Sequence, residues 1–164
     1  MLPFTAIPTY LTTTNLSLYT LPLAWLLCLT PRLYNAILYT TRSGKPLDLV
    51  NPRSLPSKAS TDPLLTPRLK NRIIRAEAAM QNGLENVGYF AAAVVAANMA
   101  GLDRGLVNGL SLGYLASRVV YGFAYVFGET TFWGVVRSLL FFVGQGQVWA
   151  LFILAGKALN REGR

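Results

Sequence analysis

Four long apolar stretches, separated by polar segments, account for most of this chain. They cover about residues 12–40, 66–100, 105–127 and 131–159. A helix needs about 20 predominantly apolar residues to cross the hydrocarbon core of a bilayer, and each stretch is long enough. Short connections between the last three stretches favour antiparallel neighbours. The pattern predicts an all-α fold, a transmembrane four-helix bundle of up-down topology that forms one domain over residues 1–164.

The first two stretches are joined by a long polar connection, residues 41–66. Prolines recur through it and interrupt any helical period, so we expect a mostly irregular loop. Basic residues are concentrated here and at the start of the next stretch: Arg42, Lys45, Arg53, Lys58, Arg68, Lys70, Arg72 and Arg75. Because loops rich in Lys and Arg stay on the cytosolic side, we expect a cytosolic loop, with both chain ends on the opposite side.

The composition is that of a membrane protein. Hydrophobic residues make up 52% of the chain and charged residues only 13%, which is unlike a soluble domain. The formal net charge is +8. Since the basic excess lies beside the apolar stretches, we expect its partner to be the lipid bilayer surface and not nucleic acid.

The residue types that are missing narrow the chemistry. The chain has no histidine and a single cysteine, Cys28. It therefore lacks the usual general base and cannot form an internal disulfide or a cysteine zinc site, so no metal site is expected. Any reaction must use Arg, Tyr, Asn or Glu side chains, or a bound cosubstrate.

The second stretch carries polar residues where lipid would not accept them. Gln81, Asn82, Glu85 and Asn86 interrupt an apolar helix. An ionisable side chain inside a span costs about 2.5–3.5 kcal/mol on insertion scales, so such side chains usually face a bundle interior or a water-filled cavity. We take this helix as the functional one.

On each of three predicted helices, polar side chains lie along one face, and they stand at a similar depth in the membrane. They are Arg72, Arg75, Asn82 and Glu85 on the second helix, Tyr114, Arg118, Tyr121 and Tyr125 on the third, and Arg137 and Ser138 on the fourth. Counted from the loop side at about 1.5 Å per residue, they fall in one layer. Such a layer predicts an anion-binding pocket that opens to the cytosol, with arginines facing carboxylates.

Structural roles explain the same residues and stay open at this point. Arg72 and Arg75 are also placed to flank a span and reach the membrane interface. The tyrosines of the third helix serve equally well as packing residues. Asn82 and Glu85 can cross-link helices, with Arg118 as the buried counter-ion.

Two motifs resemble one known family. The run RAEAAMQNGLEN carries Asn-x-x-Glu and precedes an Ala/Val-rich helix, and the later LASRVVYGFAY carries Arg-x-x-Tyr-x-x-x-Tyr. Together, over roughly residues 72–156, they resemble the MAPEG superfamily of membrane-associated proteins in eicosanoid and glutathione metabolism. That family includes microsomal glutathione transferases, leukotriene C synthase, prostaglandin E synthase and the lipoxygenase-activating protein.

The resemblance implies a four-helix subunit that forms a homotrimer, with glutathione as cosubstrate between neighbouring subunits. A lipophilic small-molecule substrate would enter from the bilayer. Positions that hold glutathione in the family correspond to Arg75, Asn82, Glu85, Arg118, Tyr121, Tyr125 and Ser138. Arg137 corresponds to the arginine placed near the thiol sulfur, and with Tyr121 it is the implied catalytic pair.

One position departs from the family pattern. Family members commonly carry a further arginine four residues before the Asn of Asn-x-x-Glu, and here that residue is Ala78. The change removes a cationic partner for the carboxylates of glutathione. Arg72 is the candidate replacement, because a long arginine side chain reaches about one helical turn.

Three functions of different class stay open. The first is a glutathione transferase or peroxidase acting on lipophilic electrophiles or lipid hydroperoxides, with Arg137 lowering the pKa of the thiol. The second is a lipid-binding scaffold without catalysis, and the third is an unrelated small membrane subunit. We expect the first, in a multi-pass protein of the endoplasmic reticulum membrane.

Overall fold

The computed structural model describes residues 6–162, and every regular element in that range is helical. The helices are α1 (Ala6–Thr13), α2 (Thr20–Ser43), α3 (Leu55–Thr61), α4 (Pro67–Met99), α5 (Arg104–Phe127) and α6 (Thr131–Glu162). Short 3-10 turns precede α2 and α3. The ends of the single domain expected over 1–164 fall outside the described residues.

Three segments are long and apolar enough to cross a membrane: Ser17–Ser43, Arg104–Phe127 and Thr131–Arg161. The protein is therefore an integral membrane protein. Helix α4, with its basic first turns and polar middle, is not among them. Three of the four predicted membrane spans are thus supported by length and hydropathy. That α4 also crosses the membrane stays a prediction.

Helix α4 contacts each of the other long helices, and α5 and α6 pack along each other. Phe90, Ala93, Val94 and Ala97 of α4 are fully buried at these contacts. The Phe90 ring stacks on the ring of Tyr114 in α5, with centroids 3.9 Å apart. Small side chains let the helix axes approach closely, so α4 determines where the polar residues of its neighbours face.

Side-chain caps fix where α4 and α5 begin. Thr66 Oγ1 accepts a hydrogen bond from a backbone N–H in the first turn of α4, at 3.4 Å. Asp103 Oδ1 does the same for α5, at 2.9 Å. Gly101, with a left-handed φ of 64°, reverses the chain between the two helices.

The first apolar stretch is not a single helix from 12 to 40, as the pattern predicted. The chain leaves the helical path at residues 14–16, between α1 and the 3-10 turn. Asn108 of α5 donates from Nδ2 to the carbonyls of Leu11 and Thr14, at 2.7 Å each, and accepts from the N–H of Leu16 at 2.8 Å. This amide satisfies the backbone groups that the break frees, and it holds α1 against α5.

The connection between α2 and α4 is irregular over residues 44–51 and 62–66, as expected, but the part between them is helical. It contains α3, whose Leu55 and Ala59 are buried with Tyr39 and Ile73 in a second small core. Pro56 stands in the first turn of α3, where a proline is compatible with a helix. The prolines therefore set the start of a helix here and do not prevent one.

Candidate functional site

An open groove lies between α5 and α6, with α4 at its edge. It has a volume of 280 Å³ and is lined by Asn82, Tyr121, Tyr125, Arg137, Ser138, Phe141 and Phe142. The structure thus brings together five of the predicted site residues, from three helices. No acidic residue is among the described residues that line this α5–α6 groove.

Arg137 and Tyr125 form the polar wall of the groove. The Cζ atom of Arg137 lies 4.2 Å from the centroid of the Tyr125 ring, a close cation–π contact. The Tyr125 ring in turn meets the Tyr121 ring edge-on, with centroids 5.5 Å apart. Ser138 donates its hydroxyl hydrogen to the carbonyl of Gly134, one turn earlier in α6, at 3.1 Å. None of the ion pairs found in residues 6–162 involves Arg137.

Arg118 lies behind the groove and is only 8% exposed. Its NH1 donates to Oδ1 of Asn82 at 3.4 Å. Its Cζ atom lies 5.0 Å from the ring centroid of Tyr114, and 5.3 Å from those of Tyr121 and Phe141. The electron-rich ring faces partly replace water around the charge. Through Asn82, Arg118 connects the buried core to the groove.

Two donors of the Arg118 guanidinium, Nε and NH2, have no hydrogen-bond partner in the described structure. They face α6 at Gly144, where an added Cβ would lie 3.4 Å from Nε and 3.6 Å from NH2. A buried charge without a counter-ion is costly. The chain therefore keeps a positive charge beside the groove that no described carboxylate neutralises.

Arg72 and Arg75 do not line the groove, contrary to the sequence prediction. Their NH2 atoms pair with Oε1 of Glu129, in the α5–α6 connection, at 3.2 and 3.4 Å. Arg68 makes the closest pair with the same carboxylate, at 2.9 Å. The hydrogen bond from Arg68 is the main cause that holds the pKa of Glu129 below its ordinary value, against the opposing effect of desolvation. These three arginines serve as a clamp on the α5–α6 connection.

Glu85 does not face the pocket beside Asn82, as its spacing suggested. It is exposed on the outer face of α4 and takes part in no ion pair found in the described structure. Three residues along a helix turn the side chain by about 60° from the starting direction, enough to carry it past the edge of the groove. The idea that Glu85 is the buried counter-ion of Arg118 was therefore wrong.

Three further contributors were missed in the sequence. Phe141 stands four residues after Arg137, so helical spacing alone places both on one face. Gly144 is the first glycine of Gly-x-Gly in α6, a signal of close helix approach. Glu129 is the one acidic residue in the short connection that faces the basic start of α4.

Comparison with known proteins identifies a family. The model of the MAPEG family matches residues 12–157, which include the whole of α2, α4 and α5, most of α6 and every residue of the groove. No curated protein and no solved structure matches the chain significantly.

Proposed function

Because this chain belongs to the MAPEG family, we propose that it is a glutathione-dependent transferase or peroxidase acting on lipophilic electrophiles or lipid hydroperoxides. The observation that carries the proposal is the α5–α6 groove. There a guanidinium, two phenols, a hydroxyl and an amide converge from three helices.

Glutathione fits the chemistry of this groove, because the tripeptide carries carboxylates and a thiol. Arg137 supplies positive charge and Asn82 and the tyrosines supply hydrogen bonds. A negatively charged ligand would also offset the charge of Arg118, whose Nε and NH2 are unpaired in the described structure. Ala78 leaves the groove one cation short, and Arg72 does not replace it while it pairs with Glu129.

Glutathione supplies a thiol that reacts as a thiolate. A free thiol has a pKa of about 8.5 and is mostly protonated at neutral pH. Arg137 would hold the sulfur in its charged form, because a guanidinium in a poorly solvated groove lowers the pKa of a neighbouring thiol. Tyr121 would donate a hydrogen bond where negative charge develops. Tyr125 would keep Arg137 in place through its ring.

We propose a homotrimer in which a neighbouring subunit closes the groove. The groove is open on one side, and its 280 Å³ lies just under the usual range of about 300–1,000 Å³ for ligand sites. Glu85 is exposed on the face of α4, where lipid would not accept a carboxylate. Gly88 and Ala92, on the same exposed face, are small enough for close contact with another helix.

A second hollow, between α2 and α5, supports the proposal that the substrate is lipophilic. It has a volume of 270 Å³ and is lined by Leu27, Thr30, Pro31, Tyr34, Arg118, Val119, Gly122, Phe123, Val126 and Phe127. The same hollow favours the alternative function, a lipid-binding scaffold without catalysis. The family match excludes the third possibility, an unrelated membrane subunit.

We also propose that the protein resides in the endoplasmic reticulum, with residues 41–66 on the cytosolic side. The basic residues of that segment support this orientation. In sealed microsomes, a protease added outside should cleave between α2 and α4. Cleavage only after the vesicles are opened would overturn the orientation.

The proposal is tested with purified protein in detergent. We expect calorimetry to detect glutathione binding, and assays to detect its consumption with chlorodinitrobenzene or cumene hydroperoxide. Arg137→Ala should lose most turnover, whereas Arg161→Gln, an exposed arginine at the far end of α6, should match the wild type. Absence of glutathione binding in the wild type would overturn the proposal. Binding of lipophilic ligands without turnover would favour the scaffold.

A further inference from the structure

Two apolar residues stand at the tip of a fixed turn between α2 and α3. Leu49 is 83% exposed and Val50 is 87% exposed. Asp48 Oδ1 accepts hydrogen bonds from the N–H groups of Val50 and Asn51, at 3.0 and 2.9 Å, while its Oδ2 pairs with Lys58 Nζ at 2.6 Å. The turn is thus built to hold two apolar side chains outward.

The turn is folded back against the middle of α2. Arg32 donates a hydrogen bond to the carbonyl of Pro52 and pairs with Oε2 of Glu77 in α4 at 2.7 Å. Arg32 stands eleven residues before Ser43, the last residue of α2. At 1.5 Å per residue, Arg32 lies about 17 Å before the end of α2, so the turn folds back along the helix.

This position is level with the end of a membrane span. Glu77 follows Arg75 by two residues in α4, and Arg75 Nε donates to the carbonyl of Val126 at 3.2 Å. Val126 is the next-to-last residue of α5, a segment long and apolar enough to cross the bilayer. The Leu49–Val50 tip therefore lies near the boundary of the bilayer on the basic side.

The surface of α2 beside the turn is apolar and exposed. Arg32 and Ala36 line the hollow of 170 Å³ under the turn. The residues that follow each of them, Leu33 and Ile37, are 63% and 64% exposed. The turn thus stands next to a lipid-facing stripe of α2, and not over a polar surface.

The charge around the tip is positive. Arg32 and Lys58 line the hollow beneath Leu49, and Arg53, three residues after Val50, is exposed and takes part in no ion pair found in the described structure. Apolar tips flanked by Lys and Arg bind the headgroup region of anionic membranes. We propose that the Leu49–Val50 turn is an interfacial anchor that inserts into the anionic leaflet of the host membrane on the basic side.

The anchor is tested with a fluorescent probe on the tip. In a Cys28→Ser background, Val50→Cys is labelled with bimane, and the full-length protein is reconstituted in vesicles containing phosphatidylserine. Ser57→Cys, on the exposed side of α3, is the matched control. We expect blue-shifted emission at position 50 and at least two-fold stronger quenching there by nitroxide lipids than at position 57.

Three outcomes would overturn the anchor. The first is water-like emission at both positions. The second is quenching at position 50 that is unchanged in purely zwitterionic vesicles or by Arg53→Gln. The third is efficient disulfide cross-linking between two chains of the unlabelled Val50→Cys variant without lipid quenching, which would assign the tip to a second copy of the protein. Equal melting temperatures of the labelled variants ensure that the comparison reports on position and not on unfolding.

Discussion

The guanidinium of Arg137 lies over the ring of Tyr125, with its Cζ atom 4.2 Å from the ring centroid. The contact joins the first turns of α6 to the last turns of α5. It also leaves the N–H groups of Arg137 available to the groove, because no described carboxylate pairs with them. Because an aromatic ring and not a carboxylate holds Arg137, its positive charge is not neutralised within the described part of the protein and can attract an anionic ligand.

We expect the contact between these two residues to set the reactivity of the bound thiol. Tyr125→Phe keeps the ring and should leave turnover within about three-fold, whereas Tyr125→Leu should lower kcat/KM by about ten-fold, since one pKa unit of the thiol corresponds to about 1.4 kcal/mol. The pH at half-maximal rate should rise in the Leu variant. Equal profiles for the two variants would show that the ring does not position Arg137.

Replacing the buried Arg118 separates ligand binding from structural support. Arg118→Met keeps the volume and removes a charge with two donors that are unpaired in the described structure. Because a buried charge without a counter-ion is costly, the melting temperature should hold or rise. Glutathione affinity should fall at least about ten-fold. A variant that melts much earlier, with affinity unchanged, would assign Arg118 to helix pairing.

Gly144 leaves space beside the donors of the Arg118 guanidinium that are unpaired in the described structure. A Cβ at this position would lie 3.1 Å from Ser117 Oγ, which must give way, and would contact Arg118 Nε at 3.4 Å, so Gly144→Ala should fill the space beside these donors and weaken glutathione binding several-fold. Gly146→Ala, on the same helix with open space around it, is the control and should bind as the wild type does. Titration calorimetry on both variants checks this, and equal affinities would contradict it.

The crossing of α2 and α4 depends on Gly83. A Cβ there would lie 2.8 Å from Sγ and 3.4 Å from Cα of Cys28, so Gly83→Ala must push the two helices apart. Overpacking of this kind costs about 1–3 kcal/mol. Gly109→Ala, which meets nothing within 4 Å, should instead gain up to about 1 kcal/mol of helix propensity. If both variants melt above the wild type, or both below it, the result would argue against a close crossing of α2 and α4 at Gly83.

The arginine clamp on Glu129 predicts a dependence of stability on pH. The pKa of Glu129 is lowered from 4.5 in the folded protein, chiefly by the hydrogen bond from Arg68. Its contribution to stability is therefore fully present above pH 4.5 and is lost as the pH falls through the lower, folded-state pKa. The melting temperature of the wild type should exceed that of Glu129→Gln at pH 7, and the gap should close in acid. A gap independent of pH would point to packing as its origin.

Hydrophobic periodicity predicted α4 and α5 well because local signals in the sequence mark their ends. Thr66 and Asp103 are side-chain caps, and Gly101 takes the left-handed conformation that ends a helix. The break after Thr13 could not be predicted this way, because a distant amide, that of Asn108, stabilises it. Helix α3 was missed because its prolines were interpreted only as breakers.

The sequence predicted which types of residue line the groove, but not which of the predicted residues lie outside it. Asn82, Tyr121 and Arg137 were identified from spacing, and the structure brings them to one groove. Glu85 was predicted to face the same pocket as Asn82. The direction of its side chain depends on a small rotation of α4 about its own axis, and hydrophobic periodicity does not determine that rotation. The pairing of Arg72 with Glu129 depends on how a short connection folds back, which no local pattern in the sequence encodes.

The Nε and NH2 nitrogens of Arg118, which are unpaired in the described structure, have a thermodynamic consequence for handling the protein. Whatever satisfies them binds the folded state alone, so it must raise the midpoint of thermal denaturation by mass action. At a concentration of one hundred times Kd the gain is about 2.7 kcal/mol. Preparations freed of small anions during chromatography should accordingly be the most fragile, and a screen of carboxylates by melting would report on occupancy before any turnover is measured.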